Sequence, residues 1–116
     1  MSEEADVWAQ MRSLEHGWDG DGAPPPSAES IRDAVTIERV LKSHGLYAEP
    51  EADAQGGVAL WLFVPDVQFK GACVAVRNDG ARILILDDRV TPTEPEVEEF
   101  KLSFPSILKI KKILGR

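Results

Sequence analysis

The sequence predicts an α+β fold: two N-terminal helices, an antiparallel sheet of three or four strands, and a C-terminal helix. Three observations lead there. Two early stretches repeat apolar residues at helical spacing, each with its own start and stop residues. Three later apolar segments are separated by turn-forming residues, the pattern of a meander. The last stretch returns to helical spacing. At 116 residues, all of it fits one domain spanning residues 1–116.

Residues 3–15 read as the first helix. Ser2 can cap it, and Glu3, Glu4 and Asp6 suit the positive end of its dipole. Val7, Met11 and Leu14 fall on one face, which Trp8 widens, and Gly17 stops the chain. A loop rich in Gly and Pro follows, Gly17-Trp18-Asp19-Gly20-Asp21-Gly22-Ala23-Pro24-Pro25-Pro26. The prolines stiffen its exit as polyproline II. Ser27 is the N-cap of the second helix, with Glu29 in the first turn. Ile31, Ala34, Val35, Glu38 and Leu41 share one track, with Glu38 its polar member. Ile37 and Val40 broaden it, and Gly45 ends it.

Residues 46–57 contain Pro50, Gly56, Gly57 and three acids, and read as an exposed connection. Residues 58–64 are apolar without alternation, which suits a strand covered on both faces or central in its sheet. Pro65-Asp66 begins a turn. Residues 72–77 are a second strand, Asn78-Asp79-Gly80 a hairpin signal, and residues 82–87 a third strand. Residues 91–95 form a spacer. Residues 97–102 read as a strand or a helical turn. Phe100 and Leu102, alternating around Lys101, favour the strand. Ser103 or Ser106 caps a last helix whose Ile107, Ile110 and Leu114 make its apolar face.

Charge narrows the function classes. The whole chain carries −7; residues 1–57 hold −8 and residues 58–116 hold +1. An acidic front half repels phosphates and attracts a basic protein surface. Acidic excess also serves solubility alone. The N-terminus has neither the basic nor the apolar region of a signal peptide, and the longest apolar run is too short for a bilayer. One cysteine, Cys73, allows no internal disulfide. A cytoplasmic protein with no membrane partner is expected.

The residues that could carry chemistry are few. Asp19, Asp21 and Gly22 match positions 3, 5 and 6 of an EF-hand loop, but positions 1 and 12 would be Gly17 and Ala28, so the bidentate carboxylate is missing. Asp19 suits an Asx turn instead. Trp18 reads either as a plug pinning the loop to the sheet or as a binding anchor. His16 lies close to Asp19 and offers half of an acid–base pair, which leaves a small metal-dependent enzyme using Asp19, Asp21 and His16 as a second alternative. His44 is explained by its place at a helix C-terminus. Cys73 falls inside a strand and reads as an inert thiol. No phosphate loop or dinucleotide fingerprint exists. Lys109, Lys111, Lys112 and Arg116 give the tail a basic face for nucleic acid, although its apolar residues also suit docking on the sheet. Glu94, Glu96, Glu98 and Glu99 form an acidic run just before it.

The pattern Leu14-Glu15-x-Gly17-Trp18-Asp19-Gly20-x-Gly22-Ala23-x-Pro25-x-Ser27, then an apolar helix, Gly56-Gly57-Val58 and a strand with Trp61, resembles small bacterial and phage proteins of unassigned function. They share a Gly-Trp-Asp-Gly-x-Gly-Ala loop and a helix–helix–sheet order. The resemblance covers roughly residues 14–64 and brings no activity with it. Its association with mobile elements implies a protein-binding role, as in antitoxins, immunity proteins and anti-CRISPR inhibitors.

The leading expectation is therefore a non-enzymatic, acidic protein-binding module that inhibits by occluding a surface, with no cofactor and no metal. Trp18, Asp19, Asp21, Glu49, Glu51 and Asp53 are its expected partner-binding residues, steering onto a basic protein surface. The alternative is a nucleic-acid-associated regulator using the basic C-terminal helix. Homodimerisation through the apolar first strand is open.

Overall fold

A computed structural model describes residues 3–63, 70–88 and 95–115, with side chains for 7–63, 71–87 and 95–115. The Ser2 cap, the side chains of Glu3, Glu4 and Asp6, Val64, the Pro65-Asp66 turn, residues 91–94 of the spacer and Arg116 lie outside the described residues. The fold is α+β. Helices α1 (Glu3–Arg12) and α2 (Ala28–Ser43) precede strands β1 (Glu49–Ala52), β2 (Gly57–Phe63), β3 (Lys70–Arg77), β4 (Arg82–Asp88) and β5 (Glu96–Glu99), and helix α3 (Phe104–Ile113) closes the chain. The five strands form one antiparallel meander in the order β1-β2-β3-β4-β5. Five strands replace the expected three or four.

The extra strand is β1, which lies in the supposed connection 46–57. Pro50 and two glutamates give it no strand propensity of their own. It is nevertheless an edge strand, bonded on one side only, where proline and charge are tolerated. The first helix ends at Arg12, three residues short of expectation. Ser13 donates both its N–H and its hydroxyl to the Gln10 carbonyl, at 3.1 and 2.7 Å, and so takes the last turn out of helical register. The fourth expected strand becomes β5 and stops at Glu99. Phe100 is buried and donates its N–H to the Arg82 carbonyl at 2.9 Å. The chain then turns, with Ser103 N–H on the Lys101 carbonyl, and Leu102 faces outward rather than beside Phe100.

Helix α2 begins where Ser27 Oγ accepts the Ser30 N–H at 3.0 Å. It ends in a Schellman motif. Gly45 takes φ 76°, its N–H reaches the Lys42 carbonyl, and the Leu46 N–H reaches the Leu41 carbonyl at 2.9 Å. Leu46 then buries against the core. In α3, Ser103 holds the N-cap position without a side-chain cap bond, and Pro105 sits in the first turn.

All three helices cover one face of the sheet. Its alternate residues Val58, Leu60, Leu62, Val74, Val76 and Leu84 join Trp8, Met11, Ile31, Ile37, Leu41, Ile107 and Ile110 in a single core. Arg82 of β4 forks onto Asp33 of α2, with Nε donating to Oδ2 at 2.7 Å and Nη2 to Oδ1, which ties helix to sheet. Among the described residues no helix is long and apolar enough to cross a membrane.

Candidate functional site

The loop after α1 folds onto itself. Asp19 Oδ1 accepts the N–H groups of Asp21 and Ala23, at 2.9 and 3.0 Å, making the expected Asx turn. The Ala23 N–H, then the Asp21 N–H, hold the Asp19 carboxyl below its ordinary value of 3.8, and the charge of His16 adds to this. Gly17 N–H closes on the Ala23 carbonyl at 2.8 Å. Trp18 is half-buried, and its Nε1–H donates to the Pro24 carbonyl at 3.0 Å. The Trp18 indole N–H and Asp19 Oδ1 are thus spent on the loop itself, while the Asp19 side chain, like those of Asp21 and His16, remains exposed. Among the described residues no group of three or more His, Cys, Asp or Glu side chains is placed to hold a metal ion.

The loop's exit is clasped to the sheet by Asn78. Its Oδ1 accepts the Ser27 N–H at 2.8 Å and the Ser30 hydroxyl at 3.1 Å, and its Nδ2 donates to the Pro25 carbonyl at 3.0 Å. Asn78 N–H in turn bonds the Gly56 carbonyl. Gly57 has φ 126°, and a Cβ there would sit 2.0 Å from the Val76 carbonyl oxygen. The Gly-Trp-Asp-Gly loop, Ser27 and the Gly56-Gly57 pair therefore build one clasp that holds α2 against the β-hairpins.

The other expected residues lie elsewhere, on β1. Glu49 and Glu51 are exposed, and among the described residues neither is ion-paired. Asp53 is committed to its turn: Oδ1 accepts the Gln55 N–H at 2.9 Å, and Oδ2 pairs with Arg77 at 3.2 Å.

Registration then places Glu49 and Glu51 on the sheet face opposite the helices, in two rows that cross all five strands. One row is Glu49, Trp61, Cys73, Ile85 and Val97; the next is Glu51, Ala59, Ala75, Ile83 and Glu99. Trp61 and Phe63, two apart on β2, stack with ring centroids 6.1 Å apart and planes 8° off parallel. They are 37% and 58% exposed, and Val97 is 63% exposed. Ala59, Cys73 and Ala75 are buried in the floor between the larger side chains. Burial, then the charges of Asp53 and Glu51, push the Cys73 thiol up to about 12, so it stays an inert thiol at neutral pH.

This face is an aromatic ridge on an apolar floor, with Glu49 and Glu51 at the β1 edge and Glu99 at the β5 edge. Sequence reasoning named its acids on β1 but not Trp61 and Phe63 as a site. The signal was present: residues 58–64 are apolar at every position, and the helices cover only one of their two faces. At the tail, Lys109 Nζ is held by both Glu98 oxygens, at 2.9 and 2.8 Å, which raises its pKa above the ordinary value. Lys111 and Lys112 occupy the last turn of α3. No protein-family model, no curated protein and no solved structure matches the chain.

Proposed function

We propose that this chain is a non-enzymatic protein-binding module that docks its partner on the open face of the sheet. The observation that carries the reading is the exposed Trp61–Phe63 stack standing beside the exposed carboxylates of Glu49 and Glu51, which have no ion-pair partner among the described residues. Exposed, rigid aromatics on a sheet are the side chains that dominate binding energy when desolvated. The glutamates steer a basic partner and disfavour an acidic one. A stacking platform for nucleic acid needs a cationic surround, and this one has Glu49, Glu51 and Glu99. The partner is accordingly a protein with an apolar centre and a basic rim. A nucleic-acid-binding surface has that character, and covering it would inhibit its owner. This is the mode of action expected of an inhibitor or antitoxin in conflict between a bacterium and its mobile elements, acting in the cytosol.

The anchor role moves from Trp18 to Trp61 and Phe63, because Trp18 is tied to Pro24 within its own loop. Nucleic-acid binding through the tail has less support, since Glu98 already neutralises Lys109.

The test is affinity capture from host lysate with four proteins side by side. Wild type and Asp21→Asn retain the same stoichiometric partner. Phe63→Ala and the E49K/E51K variant lose it, with truncation of an anchoring aromatic weakening affinity by about 30-fold. Retention by both sheet-face variants would overturn the reading.

A further inference from the structure

A second apolar surface lies on α3. Phe104, Leu108 and Lys112 stand at i, i+4 and i+8, turned away from the buried Ile107 and Ile110. Phe104 is 63% and Leu108 47% exposed. Lys111 and Lys112 flank Leu108 one turn on, and neither is ion-paired among the described residues. This face is apolar with a basic rim. The open sheet face is apolar with an acidic rim. One molecule thus carries two surfaces of matching chemistry and opposite charge, on different sides, where they cannot meet within one chain.

We infer that the α3 face of one copy docks on the open sheet face of a second copy, head to tail. The two symmetric arrangements are disfavoured by charge. Sheet face on sheet face brings two acid-rimmed surfaces together, and α3 on α3 two base-rimmed ones. Only the head-to-tail contact pairs glutamate with lysine. It also desolvates Trp61, Phe63, Phe104 and Leu108 together. The net charge of −7 opposes association at long range, so the contact is weak and appears at high concentration. A heterologous contact leaves one free α3 face and one free sheet face at the ends of every oligomer, so it extends past the dimer or closes into a ring.

The inference does not rest on a foreign partner, and its test uses purified protein alone. Failure to self-associate leaves the partner reading intact, and the converse holds. If both stand, they share the sheet face, and a bound partner dissolves the oligomers.

Sedimentation equilibrium over roughly 10 µM to 1 mM tests it. In wild type the weight-average mass rises with concentration beyond that of a dimer. K111E/K112E and E49K/E51K are each monomeric, since each sets like charges in the contact. Mixed in equal amounts they associate again, because every contact between unlike copies pairs opposite charges. Urea midpoints show that both variants are folded, and Leu108→Ser, which leaves all charges in place, is also monomeric. A wild type that stays monomeric throughout, a mass that levels off at the dimer, or a mixture that fails to associate would each overturn the inference.

Discussion

Asn78 shows how much of the fold one side chain can hold. It makes three hydrogen bonds that join the hairpin tip to the loop exit and to the start of α2. Replacing it with alanine strands the Ser27 N–H and the Pro25 carbonyl in a partly buried site, while the Ser30 hydroxyl keeps its 2.9 Å bond to the Ser27 carbonyl. The expected cost is about 2 kcal/mol, read from urea denaturation. Asn78→Asp separates the contributions. The carboxylate keeps the bonds from Ser27 and Ser30 and gains up to ~1 kcal/mol from the α2 dipole, but it sets an oxygen against the Pro25 carbonyl. Its stability at neutral pH falls between those of wild type and Asn78→Ala. Asp19 acts on the same loop through charge. Its pKa is lower in the folded protein than the ordinary 3.8, so its contribution is complete above that value. It is lost as pH falls through the folded value. Asp19→Asn keeps an acceptor oxygen but has no proton to gain. Its urea midpoint therefore declines less steeply than that of wild type below pH ~4.

At the scale of elements, the turns and caps set the register that packing then uses. Gly57 opens β2 at φ 126° with the Val76 carbonyl against its Cα, so Gly57→Ala forces the β2–β3 pair apart. The expected loss is about 3 kcal/mol, at the upper end of ordinary single substitutions. Ser27→Ala removes only the α2 cap and costs about 1 kcal/mol. Both are measured by the same urea titration, and equal losses would show that the cap rather than the glycine fixes the clasp. The elements differ in how legible they are for a physical reason. Helices α2 and α3 carry their own apolar period and stop residues, so their outline is readable from the sequence. The hairpin at Asn78-Asp79-Gly80 is readable too, with Asp79 Oδ1 accepting the Ala81 N–H. Strand β1 is not, because Glu49, Pro50 and Glu51 form a strand only once β2 is there to pair with. Nor could the sequence show that Asn78 reaches residues about fifty positions away.

For the whole molecule, the decisive feature is that all three helices lie on one side of a sheet that is apolar on both. The residues of the open face come from all five strands, and only the register brings Glu49, Trp61 and Val97 into one row. The acids of β1 stand out in the sequence by charge alone, whereas setting Trp61 beside them takes the register. The three tryptophans report on each layer separately. Trp8 is buried in the helical layer, Trp18 is half-buried in the clasp, and Trp61 stands on the open face. Single-tryptophan proteins, with the other two indoles replaced by Phe, isolate each signal. Acrylamide quenches the Trp61 protein readily and the Trp8 protein least, because collisional access follows exposure. Raising the protein concentration, or adding the basic partner, then protects Trp61 and leaves Trp18 unchanged, since both contacts cover the sheet face and neither touches the loop. Protection of Trp18 with no change at Trp61 would move the binding surface back to the Gly-Trp-Asp-Gly loop. Unchanged quenching of both would take the binding role away from the aromatic ridge altogether.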